Sequence, residues 1–287
     1  MSNTVQRFLF DDLDIRGAVV RLDTVWEKLM TGRDYPAAVV DLLGQMSATT
    51  LLLADNLKQA GRLTMQLRGS GPVSLLVIDC NESLNLRCMA HHEEHIGTGT
   101  ALGLLGNGQL LLSLDLPTMR EPYQSVVPLD GDTIAAVFEH YLKLSEQLDS
   151  RIFLAASATG TAGLFLQKMP GADQRDPDGW ARLEALAATV KPDELLSLPT
   201  EDLLTRLFHE ETVRVFAARP VTNDCPPDWD KIRTMLLALG REDVYASLLE
   251  RGEIVINDEL SNNEYRFDKA AIDELFSHTP ETPKSVH

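Results

Sequence analysis

Short segments in which apolar and polar residues alternate, the pattern of half-buried β-strands, dominate the first 170 residues. In the stretch 61–79, GRLTMQLRGSGPVSLLVID, two such segments flank a Gly-Ser-Gly-Pro turn and predict a hairpin. A second hairpin is predicted for SRIFLAAS and AGLFLQKMP, within residues 150–170. Apolar helical faces interrupt the strands over residues 36–58 and 132–147. The pattern therefore predicts an α+β domain in which helices pack on strands.

The composition changes after Met169, where PGADQRDPDG is rich in proline, glycine and aspartate and indicates a linker. Helical patterns follow to about residue 210, and VRVFAARPV predicts a strand. The last part contains two helices that meet at Gly240, then a hairpin and a short helix. We therefore divide the chain into a strand-rich N-terminal domain at 1–170, a helical linker at 171–222, a small C-terminal helix–hairpin module at 223–276 and a disordered tail at 277–287.

The net charge of −17 argues against nucleic acid as a partner, because such binding draws much of its affinity from lysine and arginine. No cluster of basic residues offsets this charge. The N-terminal MSNTVQRFLFDD lacks the apolar core of a signal peptide, and no stretch approaches 18 apolar residues, so we expect no membrane contact. Three cysteines without a disulfide spacing indicate a reducing compartment, and we expect a cytoplasmic protein.

One motif has the residue types of a metal site. HHEEH at 91–95 places His91, Glu94 and His95 in the H-x-x-E-H order of one class of metallopeptidases. That chemistry requires the two histidines one turn apart on a helix, whereas this segment follows a strand and leads into IGTGTALG. The glycine spacing of IGTGTALG departs by one position from the dinucleotide-binding fingerprint. We interpret both segments as solvated loops, with a metal-dependent hydrolase that uses HHEEH as the minor alternative.

The three cysteines fall into two groups. Cys80 and Cys88 flank the turn in DCNESLNLRC, and we expect no functional disulfide between them because a reducing compartment keeps such thiols reduced. Cys225 lies directly before Pro226 and Pro227 and far along the chain from the other two cysteines. A thiol at the entry of a helix is typical of a metal ligand or a redox centre, yet no second thiol lies near it in the sequence.

The linear order of several segments resembles the 33-kDa heat-shock chaperone family, a group of redox-regulated holdases that act in the stress response without ATP. The resemblance covers nearly the whole chain and implies a chaperone, not an enzyme, that binds unfolding proteins and prevents their aggregation. It is carried by RFLFDDLDIRGAVVRLD, GRLTMQLRGSGP, YQSVVPLDGDTIAAVFEHYLKLSEQ, GLFLQKMP, LLTRLFHEETVRVF and LGREDVYASLLERGEIVINDELSNNEYRFD.

The same resemblance implies a C-terminal zinc module, since members of the family typically hold the metal with four thiolates arranged as C-x-C and C-x-x-C. Here Cys225 matches the first cysteine, while the other positions carry Pro227, Asp258 and Ser261. A carboxylate and a hydroxyl do not replace thiolates in a structural zinc site. We therefore expect no zinc and no other cofactor, and we interpret Cys225 as the remnant of a lost redox switch.

Client binding requires apolar surface, because exposed apolar patches are typical of sites that bind other proteins. The candidate residues are the large apolar side chains of the linker helices: Trp180, Leu183, Leu186, Leu195, Leu203 and Leu207. These side chains fit an interdomain core equally well, and both roles are compatible if the linker is a mobile cover over the sheet. The expected partners are unfolded or misfolded client proteins, and a homodimer is left open. A regulatory or structural binding module without chaperone activity is the alternative function.

Overall fold

The computed structural model describes residues 3–57, 59, 61–97, 99–129 and 131–277. The chain divides into two compact units, residues 1–224 and residues 225–287. The helices of the predicted linker belong to the first unit. The residues of the predicted tail beyond Ser277 lie outside the described part of the chain.

The first unit alternates strands and helices along the chain. Its strands are β1 (Asn3–Phe10), β2 (Ile15–Leu22), β3 (Arg62–Arg68), β4 (Val73–Cys80), β5 (Leu86–His92), β6 (Gln109–Asp115), β7 (Tyr123–Val127), β8 (Ser150–Ala156), β9 (Thr161–Lys168), β10 (Val213–Val215) and β11 (Arg219–Pro220). Its helices are α1 (Thr24–Met30), α2 (Ala37–Asp55), α3 (Ala101–Leu105), α4 (Ile134–Glu146), α5 (Ala172–Arg175), α6 (Gly179–Ala187), α7 (Pro192–Ser197) and α8 (Thr200–Phe208). The predicted α+β class is confirmed.

The strands form two antiparallel sheets. The first sheet has the order β10-β1-β2-β9-β8, with β11 also paired to β1, and the second has the order β5-β4-β3-β6-β7. The hairpins predicted for β3–β4 and β8–β9 are both present. Gly17 of β2 lies opposite Phe8 of β1, and a Cβ atom at position 17 would approach the Phe8 ring to 2.2 Å. The absence of a side chain at this position lets the aromatic ring lie across the strand.

Helix α2 is central to the first unit and packs against strands of both sheets. It forms the main hydrophobic core with the inner faces of those sheets, including Leu42, Met46, Val20 and Phe165. Within the described residues, α2 is the one helix long and apolar enough to cross a membrane, with a mean hydropathy of 1.5, although we had expected no such stretch. Because 61% of that apolar window is buried inside the fold, its hydropathy is explained by its place in the core.

The central strands of the first sheet are buried on both faces. Val20 and Phe165 belong to the main core, whereas Val19 and Leu164, one residue away on the same strands, belong to a second core. Side chains alternate between the two faces of a strand, so this division assigns one core to each face of the sheet. The near-continuous apolar run of β9 reflects this double burial.

The second unit contains α9 (Trp229–Leu239), α10 (Arg241–Arg251), the hairpin β12 (Ile254–Asp258) and β13 (Asn263–Phe267), and α11 (Lys269–Ser277). These elements form a third core, built from Ile232, Leu236, Val244, Leu248, Tyr265, Phe267, Ile272 and Phe276. Gly240 joins the two helices with φ +92°, a conformation that residues with a side chain rarely adopt. The predicted pair of helices, hairpin and short helix are all present.

Several local predictions differ from the structure, and PGADQRDPDG, interpreted as a linker segment, contains the short helix α5. The helix predicted for 36–58 ends at Asp55. The segment VRVFAARPV forms two short strands, β10 and β11, where one was predicted. The glycine-rich segment predicted as a loop contains α3, because the Thr100 side chain accepts a hydrogen bond from the Gly103 N–H at 3.1 Å and caps the helix.

Candidate functional site

The six candidate client-binding residues all lie in the second core, against the outer face of the first sheet. Leu183, Leu195, Leu203 and Leu207 are between 0% and 2% exposed. Trp180 and Leu186 are partly buried and pack against the same cluster. In this structure the six side chains therefore act as core between the linker helices and the sheet.

Sequence reasoning missed several residues of this core. Phe208 lies one turn beyond Leu204 on α8, and its ring meets Phe10 of β1 edge to face with a centroid distance of 5.0 Å. Phe10 in turn meets Phe8 at 5.6 Å. The four buried residues of α8 recur at 203, 204, 207 and 208, a helical spacing that could have identified them. The covered surface is thus aromatic as well as aliphatic.

Two arginine side chains of the first sheet form hydrogen bonds with the linker helices. Arg151 of β8 donates from Nε to Glu184 of α6 at 2.6 Å and from Nη1 to Glu139 of α4 at 2.9 Å. The hydrogen bond to Glu184 is the main cause of a raised Arg151 pKa. Arg21 of β2 donates to the Leu198 carbonyl at 2.7 Å, just after α7. Both arginines tie the linker to the first sheet.

Two further arginines connect parts of the linker to each other. Arg206 of α8 donates to Glu194 of α7 at 2.5 Å. Arg182 of α6 contacts Glu211 at 2.6 Å and Asp176 at 2.9 Å, and its hydrogen bond lowers the pKa of Asp176. These pairs are partly exposed, and exposed ion pairs contribute only about 0–1 kcal/mol each. Apolar burial is therefore the main force that holds helices α6–α8 against the first sheet.

The four positions that the family resemblance matches to zinc ligands, Cys225, Pro227, Asp258 and Ser261, all lie in the second unit. Cys225 is half-buried and Pro227 is exposed. The Asp258 carboxylate accepts from the Ser261 backbone N–H at 3.3 Å and lies 4.0 Å from the Lys231 ammonium. Across the described residues, no three His, Cys, Asp or Glu side chains cluster as metal ligands would. One thiol, one engaged carboxylate, a hydroxyl and a proline ring do not fit structural zinc.

Hydrogen bonds and aromatic packing connect the segment from Cys225 to Trp229 with strand β13. The Asn263 side chain donates to the Cys225 carbonyl at 2.9 Å. The Asp228 N–H donates to the Tyr265 hydroxyl at 2.8 Å, while the Asp228 carboxylate caps α9. Trp229 meets the Tyr265 ring edge to face at 5.0 Å. The segment that begins at Cys225 is thereby joined to the hairpin without a thiolate.

Cys80 and Cys88 are buried thiols on β4 and β5. Cys80 lies opposite Leu86, and Cys88 lies opposite Ile78. Burial raises the pKa of Cys80 to about 12 and that of Cys88 to about 11. Because the thiolate is the reactive form, both thiols have low reactivity at neutral pH.

The HHEEH segment does not have the geometry of a metallopeptidase. His91 lies at the end of β5 opposite Leu75, while Glu94 and His95 lie beyond the strand. All three side chains are exposed. Since no helix forms here, the two histidines do not share a helical face, and the segment does not support the metal-dependent hydrolase alternative.

Comparison with known proteins finds relatives that match nearly the whole chain. The profile of the family described as Hsp33 protein matches residues 3–268. The 33 kDa chaperonin of Methylobacillus flagellatus is 37% identical over 96% of this chain and 95% of its own length. The 33 kDa chaperonin of Chromobacterium violaceum is 38% identical over 96% of this chain and 94% of its own length. The crystal structure of the 33 kDa chaperonin from Thermotoga maritima shares the fold, with a TM-score of 0.80 at 20% identity over 96% of this chain and 98% of that one. The chain therefore belongs to the Hsp33 family, a family of chaperones and not of enzymes.

Proposed function

We propose that this protein is a holdase that binds unfolding client proteins without nucleotide hydrolysis and without a thiol–zinc switch. The observation that carries the proposal is the second core, in which the linker helices cover an apolar and aromatic sheet face. A cover that moves away exposes both its own apolar residues and the sheet. Contiguous apolar surface of this kind is what unfolded proteins bind.

The way the cover is held supports opening by mild stress. Its helices are short, from four to nine residues, and helices of this length are marginal without tertiary packing. Segments with limited packing open before the central core does. We therefore propose that heat, or binding of the client itself, displaces α6–α8 from the first sheet.

The cysteines support the loss of redox control. Cys225 has no thiol at the positions equivalent to its former partners, which carry Pro227, Asp258 and Ser261. The raised pKa values of Cys80 and Cys88 make a replacement switch in the first unit unfavourable. We propose that activation depends on linker packing and not on peroxide.

The proposed partners are unfolded or misfolded proteins. The net charge of −17 favours neutral and basic clients over nucleic acid, whose phosphates it repels. The proposed location is the cytoplasm, where the Cys80 and Cys88 thiols stay reduced.

The test is light scattering from a heat-denatured client protein, with and without equimolar chaperone, in reductant and in peroxide. We expect aggregation to be suppressed to the same extent under both redox conditions. An inert protein of similar size at the same concentration controls for crowding. If the protein suppresses aggregation at none of the temperatures below its own global unfolding, the proposal is overturned. That result favours a binding module without chaperone activity.

A further inference from the structure

Strand β7 forms one edge of the second sheet, beyond β6 in the order β5-β4-β3-β6-β7. Its five residues, YQSVV, carry no charge and lie between Pro122 and Pro128. Tyr123 is 53% exposed and Val126 is 61% exposed. An uncharged edge strand with exposed apolar side chains is a template for pairing with another chain.

Two other sheet edges in the first unit, β5 and β8, accept specific hydrogen-bonding partners. On β5, the Leu86 N–H donates to the Thr222 carbonyl at 2.8 Å and the Ala90 N–H donates to the Tyr35 hydroxyl at 3.1 Å. On β8, the Ile152 N–H donates to the Glu139 carboxylate at 2.7 Å. Within the part of the chain that the structure describes, no comparable group is bonded to the outer side of the β7 backbone. Among the described residues, the N–H and C=O groups on that side therefore have no hydrogen-bond partner in the first unit.

A cavity of about 180 Å³ adjoins this edge. Tyr123 forms part of its wall together with apolar side chains such as Leu112 and Leu114, and the charged side chains of Arg16 and Glu146 also line it. Peptides that add a strand to a sheet gain affinity from backbone hydrogen bonds and specificity from pockets for their side chains. The edge of β7 offers both features side by side.

The size of the edge decides between a second copy of this chain and a client. A pairing of five residues buries far less than the roughly 1,200–2,000 Å² of a stable protein interface. It suits weak, reversible capture of a flexible segment. The net charge of −17 further favours segments that are neutral or basic.

We propose that the outer edge of β7 takes up an extended, apolar, neutral or basic segment of an unfolding client as an added strand, with one client side chain in the cavity beside Tyr123. The inference rests on the proposed holding function, which it extends by a second contact region that is accessible while the linker helices are still in place. A folded protein presents few such segments, because most of its strands are paired on both sides or have protected edges.

The first experiment compares client aggregation for Val126→Lys and Leu249→Lys. A lysine on an edge strand opposes pairing with basic or apolar segments. Leu249 is 86% exposed on α10 of the second unit, so its variant also replaces an exposed apolar side chain with a charge, but on a helix. Unchanged thermal unfolding curves verify that both variants fold. We expect a several-fold loss of holding capacity for Val126→Lys and none for Leu249→Lys, and equal capacities overturn the inference while leaving the holding function in place.

The second experiment does not depend on holding activity. Hydrogen exchange is measured for the backbone amides of residues 123–127 in wild type, alone and with a short peptide of alternating valine and threonine that has lysine at both ends. We expect slower exchange with this peptide and little change with a matched peptide that has glutamate at both ends. If neither peptide slows exchange, strand addition is overturned. Strand addition by a client is also overturned if exchange slows only as the protein concentration rises, because the edge then pairs with a second copy of the chain.

Discussion

Arg151 of β8 and Glu184 of α6 are joined by a hydrogen-bonded ion pair across the boundary between the first sheet and the linker helices, with Nε to Oε1 at 2.6 Å. Their side chains are 42% and 32% exposed, so water weakens the pair without removing it. Arg151 also binds Glu139 of α4. One arginine thus connects the sheet, a helix of the main core and the helix that covers the second core.

Glu184→Gln is expected to lower the temperature at which holding activity begins. The substitution removes the charge that attracts Arg151, and a partly exposed pair of this kind contributes about 0–1 kcal/mol. The effect is therefore small, and raising the salt concentration of the wild type should reproduce it. Light scattering across a temperature series measures the onset. Glu253→Gln is the control, since it removes an ion pair with Arg266 in the second unit, and an equal change in both variants contradicts a role for the linker.

Leu207→Ala is expected to have a larger effect in the same direction. Leu207 is 2% exposed in the second core, and truncation of a buried leucine costs about 2–5 kcal/mol. We expect the cover to open at lower temperature and holding to appear earlier, as measured by aggregation assays and by hydrogen exchange in α8. Leu248→Ala makes a similar truncation in the core of the second unit. An unchanged onset for Leu207→Ala, or an equal shift in the control, contradicts the proposed cover.

The second unit is expected to be folded without zinc. Its core of eight buried apolar residues and the Asp228–Tyr265 hydrogen bond provide the contacts that replace a metal cross-link. Elemental analysis of the purified protein should find no stoichiometric zinc. Chelator should leave the thermal unfolding curve unchanged, as measured by circular dichroism. One tightly held zinc per chain, or a transition lost with chelator, contradicts this expectation.

Cys225→Ser is expected to leave holding activity unchanged in reductant and in peroxide. One thiol cannot form an intramolecular disulfide when the matching positions are Pro227, Asp258 and Ser261. Cys80 and Cys88 are buried in the first unit, and their raised pKa values oppose oxidation. Activity that appears only with peroxide and disappears in the variant would demonstrate a thiol switch.

Asp79→Asn is expected to destabilise the first unit at neutral pH, and less so in acid. Burial disfavours the Asp79 charge, but hydrogen bonds from Arg62, Arg87 and Thr64 overcome this, so its pKa lies below the usual value. A lowered pKa stabilises the fold above the unfolded pKa, and this contribution is lost as pH falls through the folded value. Hydrogen bonds to a charged group contribute about 2 kcal/mol. Urea unfolding at pH 7 and below pH 4 measures the free energy of unfolding of the variant and the wild type. A loss of stability that is the same at both pH values would contradict the prediction.

Much of the local structure was readable from the sequence because it depends on near neighbours. Alternation predicted the β3–β4 and β8–β9 hairpins, and helical patterns predicted α4, α6, α7 and α8. Segment order indicated the family. The resemblance, combined with the identities of residues 225, 227, 258 and 261, predicted that three of the family's four thiolates are absent. None of these inferences requires knowledge of which segments meet in space.

Contacts between distant segments were decided only by the tertiary structure. The sequence left open whether Leu203 and Leu207 face a sheet or solvent, since an amphipathic helix fits either role. It placed no helix in the glycine-rich segment, yet α3 lies so close to the 69–71 turn that a Cβ at Gly71 would meet the Leu104 carbonyl at 2.5 Å. The bare edge of β7 follows from strand order, which depends on pairing across the whole first unit. Local sequence preferences determine which segments form helices and strands. Which segments pack together depends on how the whole chain can bury its apolar faces and pair its backbone N–H and C=O groups.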